Sequence, residues 1–300
     1  MSWDWADTQR ELIKTNVLSN SGVAGESPDF QEFSISFLDD LLRGSSNLNH
    51  EVIEKIAHQL VASGQSLENA WYHFSNLIYS AAMSTSSDSS HQRLVELIFA
   101  FANFESQGSD GNEADDPEVV STFKELKGFG WIARDLWNGP SNFIREYGTG
   151  EAAIQAWVNL NRFVAHLSVQ QRLTPVEPLQ DWLEDFGLWT ISDGLEFRKG
   201  GREYGEAAAA WLVIAGSDIW LDPTWGKRDG NPGPGIPVRV GGIWSYRLEN
   251  GATHDMRWDF WRERLLDIAS DESLDESTRE TMRQAERATE GIEASSQTSQ

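Results

Sequence analysis

The chain has no cysteine among its 300 residues and few basic residues, with 24 Lys and Arg against 47 Asp and Glu. The absence of cysteine excludes disulfides, thiolate metal ligands and cysteine nucleophiles. The net charge of -23 argues against nucleic acid as a partner, because phosphates are held by clustered Lys and Arg. An anionic membrane surface is disfavoured for the same reason, and we expect the charge to serve solubility.

The sequence also lacks an apolar run long enough for a membrane span, which takes about 20 residues. The apolar run that stands out is AAAAWLVIA, at 207–215. A helix that is apolar on every side has to be covered by protein, so we predict a central core helix between the helices that carry Trp157 and Trp258. The start, MSWDWADTQRELIK, lacks the basic and apolar regions of a signal peptide, and we expect a cytoplasmic or, alternatively, nuclear protein.

Large aromatic residues are plentiful, with 14 Trp and 14 Phe, and they can fill a sizeable core. Apolar residues recur at helical spacing along most of the chain. Helix-starting residues precede several of these segments: Ser27 with Pro28 behind it, then Asn49, then Ser66. The pattern predicts an all-α protein, with a single compact domain of about ten helices over residues 1–270.

Three segments depart from this pattern. Residues 105–118 hold six acidic residues and no base, which predicts an acidic flexible loop. Residues 222–242 hold six glycines and four of the nine prolines, which predicts an irregular loop, and residues 238–246 could close as a short β-hairpin. Residues 271–300 are charged and then rich in Ser and Gln, with no apolar stripe, so we predict a frayed helix and a disordered tail.

No catalytic motif is recognisable. The sequence has no serine-hydrolase elbow, no P-loop and no dinucleotide-binding glycine pattern. His50 and Glu51 begin a segment that is one ligand short of the H-E-x-x-H zinc helix, because Glu54 stands where the second His would be. We therefore predict no catalytic, cofactor or metal site, and an enzyme remains open but is disfavoured.

The candidate functional residues are polar or aromatic side chains within Trp-rich helices, where burial is expected. On the helix that carries Trp157, Asn161 points into the apolar arc, whereas Asn159 and His166 lie near the opposite side. Two interpretations stay open for the set, a structural network such as Glu196 or Asp135 with Arg257, and a pocket with aromatic walls. The full set is Trp131, Arg134, Asp135, Trp137, Trp157, Asn159, Asn161, His166, Glu196, Arg257, Trp258 and Trp261.

Several blocks in register resemble the DUF3632 family, a fungal family of uncharacterised helical proteins. They are WVNLNRFVAHL at 157–167, LW at 188–189 with GLE at 194–196, AAAWL at 208–212, GGIW at 241–244 and RWDFWR at 257–262. The sequence departs from the family pattern at Phe123, where Trp is usual, and at Lys127, where Pro is usual. The resemblance implies a largely α-helical intracellular fungal protein, and it transfers no catalytic residue.

Two functions are compatible with these observations. The absence of catalytic motifs and the charged surface favour a non-enzymatic intracellular interaction or scaffold protein, with an unknown protein partner. The Trp-rich core and the loop at 222–242 suggest, as the alternative, a small-molecule-binding or accessory protein associated with fungal secondary metabolite biosynthesis.

Overall fold

The computed structural model describes residues 5–14, 28–104, 117–137, 143, 150–179, 183–197, 202–221 and 256–298. All regular elements within these ranges are helical, which confirms the all-α class. The predicted hairpin at 238–246, the loop at 222–242 and residues 105–116 of the acidic loop lie outside the described residues. The last two residues of that predicted loop belong to a helix that begins at Pro117.

The helices divide into two compact units, Met1–Asn138 with Thr174–Gln180, and Gly139–Leu173 with Asp181–Gln300. We describe each unit separately, and the single domain over residues 1–270 stays a prediction. The helices of the first unit are α1 (Trp5–Lys14), α2 (Pro28–Arg43), α3 (His50–Val61), α4 (Leu67–Ser84), α5 (Asp88–Ala102), α6 (Pro117–Lys124) and α7 (Phe129–Leu136). A 3-10 turn, Glu177–Leu179, also belongs to it.

Local signals account for the starts of α3 and α4 in the first unit. The Asn49 side chain accepts a hydrogen bond from the Val52 backbone N–H at 2.9 Å, which caps α3 as predicted. The Ser66 hydroxyl caps α4 in the same way. The core centres on Trp71, whose ring centroid lies 5.0 Å from that of Phe101 and 5.4 Å from that of Phe123.

The second unit contains the predicted central helix. Its helices are α8 (Glu151–Leu173), α9 (Leu183–Ile191), α10 (Arg202–Leu221), α11 (Arg257–Ala269) and α12 (Glu276–Thr298), with a π-helical turn, Ser192–Glu196, between α9 and α10. Helix α10 packs against all four other helices of the unit and the π turn. Residues 207–212 of α10 are at most 3% exposed, so the prediction of a buried apolar helix is confirmed there; further along the run, Val213 is 46% exposed and Ile214 is half-buried.

Contacts at both ends show how the helices run beside α10. A Cβ atom placed on Gly205 would lie 3.5 Å from Met282 Cε, and one on Gly216 would lie 3.0 Å from Ile292 Cδ1. Helices α10 and α12 therefore run in the same direction. Helix α11 runs the opposite way, because Trp258, at its start, lies near Gly216 and Ile268, near its end, lies near Gly205.

The C-terminal segment differs from its prediction. Residues 271–300 were predicted to form a frayed helix and a disordered tail, and the structure instead has a 23-residue helix, α12, over most of this range. Its buried seam consists of Thr278, Met282, Ala285 and Thr289, spaced by four, three and four residues. Two threonines and an alanine make this stripe weakly apolar, which explains why hydrophobic periodicity failed to reveal it. Among the described residues, no helix is long and apolar enough to cross a membrane.

Candidate functional site

The first polar cluster of the second unit is a buried ion pair. Arg257 Nε donates to Glu196 Oε1 at 2.7 Å, and the two side chains are 3% and 0% exposed. Trp261 Nε1 donates to the same oxygen at 2.8 Å, and the Ser192 hydroxyl donates to Glu196 Oε2 at 2.8 Å. The Arg257 guanidinium also lies over the Trp261 ring, 5.3 Å from its centroid. The predicted pairing of Glu196 with Arg257 is thus present in the structure.

The π turn brings the Glu196 carboxylate to this position. Glu196 ends the turn and Ser192 begins it, so their side-chain hydrogen bond links the two ends of the π turn. The turn also lies directly against α10. A Cβ atom on Gly194 would be 2.5 Å from the Tyr204 carbonyl oxygen and 2.7 Å from Ala208 Cβ, so only glycine fits there without a shift of the backbone.

This cluster has the properties of a structural element. A buried ion pair is tolerated when further hydrogen bonds satisfy the charges, and here Trp261 and Ser192 donate to the Glu196 carboxylate. The Glu196 carboxylate is completely buried, so a substrate in solution cannot reach it to exchange a proton. What the cluster does is to tie α11 to the turn between α9 and α10.

The second polar cluster centres on Asn161 of α8, which is completely buried as predicted. Its Oδ1 atom accepts hydrogen bonds from the Thr190 hydroxyl and from Trp211 Nε1, both at 2.9 Å. Its Nδ2 atom donates to the Trp157 carbonyl oxygen at 3.0 Å. The amide therefore connects α8, α9 and α10, and it supplies the acceptor that the buried Trp211 indole requires.

The other candidates on α8 only partly follow the helical-wheel prediction. Asn159 was placed on the side opposite the apolar arc, yet it is 2% exposed and accepts a hydrogen bond from Gln155 Nε2 at 2.9 Å. The expectation of burial for the candidate set is thus confirmed at Asn159, because α8 is covered on more than one side. His166 is half-buried, and Trp157 is buried against the ring of Phe143, with centroids 5.8 Å apart.

Four of the twelve candidates belong to the first unit, on or just after α7. The expectation that Trp131, Arg134 and Asp135 are buried is wrong: all three are exposed, and Trp131 is 73% exposed. Helix α7 has only eight residues and buries one face through Phe129, Ile132 and Ala133, which leaves these three positions on the outer side. Trp137, at 9% exposure, is buried as expected.

Tryptophans of α10 and α11 form an aromatic cluster in the second unit. The Trp258 ring centroid lies 5.1 Å from that of Trp220 and 6.0 Å from that of Trp261. Trp258 is 6% exposed, and its Nε1 atom has no hydrogen-bond partner among the described residues. The cluster therefore contains one buried donor that a polar acceptor can satisfy.

An ion-pair network around Arg202 was not predicted from the sequence. Arg202 contacts Glu206, four residues along α10, at 3.0 Å, and it donates to both carboxylate oxygens of Glu151. Its Nη1 atom also lies 3.3 Å from Asp275 Oδ2. Burial lowers the pKa of Arg202, but the hydrogen bonds to Glu151 and Glu206 outweigh it, so the pKa is raised and the charge is permanent. The spacing of Arg202 and Glu206 was the only local signal.

The incomplete zinc motif has an exposed arrangement in the structure. His50 Nδ1 and Glu54 Oε2 lie 4.0 Å apart on α3, with both side chains well exposed. The His50 ring stacks on Phe104, with ring centroids 6.1 Å apart. An exposed i, i+4 pair of this kind fits a surface contact near the start of α3, and the prediction of no metal site there stays a prediction.

The comparisons with known proteins give one match. A family model described as "Protein of unknown function (DUF3632)" matches residues 76–265, more than half of the chain. The matched region includes both buried polar clusters of the second unit and leaves out α12. No curated protein and no solved structure matches the chain.

Proposed function

We propose that this chain, which belongs to the DUF3632 family, is a non-enzymatic intracellular protein that acts by binding another protein. The observation that carries the proposal is the contrast between the buried polar candidates of the second unit and the exposed Trp131 of the first unit. Glu196, Arg257 and Asn161 are at most 2% exposed and hydrogen-bond within the second unit, Arg257 to Glu196 and Asn161 to Thr190 and Trp211, whereas Trp131 is 73% exposed.

The buried groups support this function by being engaged in the core. A catalytic acid or base has to come within hydrogen-bonding distance of a substrate proton. Glu196 already accepts hydrogen bonds from Arg257, Trp261 and Ser192. Because its side chain is also buried, we assign it the role of positioning α11. The cytoplasmic or nuclear location and the fungal origin are parts of the same proposal.

The exposed aromatic residues provide the surface for a partner. Trp131 on α7 and Tyr72 on α4, which is 39% exposed, belong to the residue types that dominate binding energy at protein interfaces. A Cβ atom on Gly128 would lie 3.3 Å from the Tyr72 ring, so Tyr72 lies beside the start of α7. The nearby pair of Lys127 and Glu68, 3.2 Å apart, adds polar groups of both signs.

Affinity purification of the tagged chain from its native cells, followed by mass spectrometry, tests the proposal. We expect a stoichiometric partner that Trp131→Ala loses and that Leu221→Ala retains; Leu221 is a matched control because it is 69% exposed and lies in the second unit. Both variants should melt like the wild type. Equal recovery of the partner by both variants would show that Trp131 does not contribute to the interface.

The aromatic cluster supports a second candidate function, the binding of a small molecule, with secondary metabolism as the pathway class. The Trp258 ring neighbours the rings of Trp220 and Trp261, and its buried Nε1 atom is suited to an aromatic ligand with an acceptor atom. A thermal-shift screen against metabolite fractions tests it, because a ligand of the folded state raises the melting temperature. If Trp258→Phe shows the same rise in melting temperature, the ligand binds at another site.

A further inference from the structure

Helix α12 is attached to the second unit by a weakly apolar seam. The buried seam residues are Thr278, Met282, Ala285 and Thr289, and only two of them are apolar. The remaining length of α12 is largely exposed or half-buried. Because hydrophobic burial scales with apolar area, this seam holds α12 less tightly than α8 is held by its many buried residues.

Two glycines on α10 shape the surface under α12. Met282 lies against Gly205, and Ile292 lies against Gly216, eleven residues further along α10. The Cβ distances of 3.5 and 3.0 Å show that a larger residue at Gly216 in particular would push α12 outward. We call the surface that runs from Gly205 to Gly216 the α10 groove; it is matched to a helix with small side chains.

Two arginines outside α12 bind its acidic residues, one toward each end. Arg202 of α10 lies 3.3 Å from Asp275, just before α12 begins. Arg262 of α11 lies 3.1 Å from Glu286 and 2.9 Å from Glu293. The arginine side chains are 25% and 23% exposed, so salt screens these contacts in part.

We propose that α12 is a reversible cover of the α10 groove, and that the groove takes an acidic amphipathic helix of a partner protein when α12 is released. The inference rests on the proposed function as a protein-binding module. The chemistry of the partner helix is specified by α12 itself: small or methyl-bearing residues at positions i, i+4, i+7 and i+11, with carboxylates that meet Arg262. Arg262 gives the groove a positive charge that is complementary to such a helix. Arg202 is already paired with Glu206 and Glu151, so it adds a contact to Asp275 without a net positive charge.

Opening of α12 is expected to be a local event. Segments with few buried apolar contacts open locally more often than the whole protein unfolds. Hydrogen exchange measures the free energy of that local opening. In the intact chain, we expect amides of α12 to exchange at least about tenfold faster than those of α8. Equal protection of the two helices would mean that α12 opens only with the whole unit, and it would overturn the proposal.

A labelled peptide tests whether the groove accepts a helix in trans. The test uses a fluorescein-labelled peptide of residues 271–298, whose fluorescence anisotropy rises when it binds. Three full-length proteins are compared: the wild type, Ala285→Glu and Ala294→Glu. Ala285 is completely buried in the seam, and Ala294 is exposed on the same helix, so the same substitution releases α12 only at the first site. We expect the Ala285→Glu protein to bind the peptide at least about tenfold more tightly than the other two.

Two further variants make the result specific. Adding Arg262→Ala to Ala285→Glu should weaken peptide binding several-fold, because three glutamates of α12 lie within 4.0 Å of that guanidinium. A folded Ala285→Glu protein that does not bind the peptide would refute the groove as a binding site. If that variant fails to fold, Met282→Ala replaces it, since it weakens the seam without burying a charge.

The outcomes separate this inference from the function on which it rests. Failure of the peptide to bind, together with capture of a partner that depends on Trp131, would refute the groove and leave the proposed function standing. Loss of both would refute the two together.

Discussion

The ion pair of Glu196 and Arg257 allows the strongest quantitative prediction, a double-mutant cycle with Glu196→Gln and Arg257→Met. Each single change leaves one charge in a site where the side chains are 0% and 3% exposed. Solvent screening is therefore negligible, and removal of one partner of a buried pair costs about 3–5 kcal/mol. We expect each single variant to lose about that much stability.

The double variant should lose much less than the sum of the single losses. It leaves no buried charge, and the side-chain amide carbonyl that Glu196→Gln introduces still accepts from the Trp261 indole, so its cost should be about 1–3 kcal/mol. The coupling energy is then at least about 3 kcal/mol. Strict additivity, or single effects below about 1 kcal/mol, would refute the assignment of this pair as a structural tie.

Urea unfolding followed by far-UV circular dichroism gives these free energies, and hydrogen exchange in α10 assigns the loss to the second unit. The matched control is Asp267→Asn. Arg264 and Asp267 form an i, i+3 ion pair 2.9 Å apart, with the aspartate side chain 66% exposed. An exposed pair of this kind is worth less than about 1 kcal/mol, so the control should be close to the wild type.

Three other predictions follow from single positions. Ala209→Glu should abolish cooperative folding because the site is completely buried, whereas Val213→Glu, at 46% exposure on the same helix, should melt cooperatively in circular dichroism. Gly194→Ala should cost about 1–3 kcal/mol or more in urea, since its Cβ atom would lie 2.5 Å from a carbonyl oxygen of α10, while Gly291→Ala, with nothing within 4 Å, should stabilise the protein by about 0.5–1 kcal/mol. Burial raises the pKa of Tyr79 well above 10.0, so folded protein should show no phenolate from this residue in an ultraviolet titration, and stability should fall as the pH rises above 10.0, where the unfolded chain ionises first.

Sequence reasoning located the central helix and one cluster because their signals are local. Residues 207–215 are apolar on every side, and Asn161 lies within the apolar arc of a helix, so burial follows from periodicity alone. The pairing of Glu196 with Arg257 was predicted from chemistry, since a buried charge needs a partner. The two residues are 61 positions apart, so no local sequence periodicity indicates the pair.

The errors arose where burial depends on distant packing. Trp131 was expected to be buried because it lies in a Trp-rich helical segment, but α7 buries only the face that carries Phe129 and Ile132. The length and the buried seam of α12 were missed because Thr278, Ala285 and Thr289 carry that seam, and such residues give little hydrophobic contrast. Arg202 was missed because Glu151 and Asp275 are far from it in sequence.

The most direct test of the account is calorimetric binding of the captured partner to three purified proteins: the wild type, Trp131→Ala and the Glu196→Gln, Arg257→Met double variant. The account predicts that Trp131→Ala raises the Kd at least about tenfold, a loss of about 1.4 kcal/mol, while its melting temperature is unchanged. The double variant should bind with the wild-type Kd. Wild-type affinity of Trp131→Ala, with loss of binding by a folded double variant, would contradict the claim that the buried polar residues hold the core and the exposed aromatic surface binds the partner.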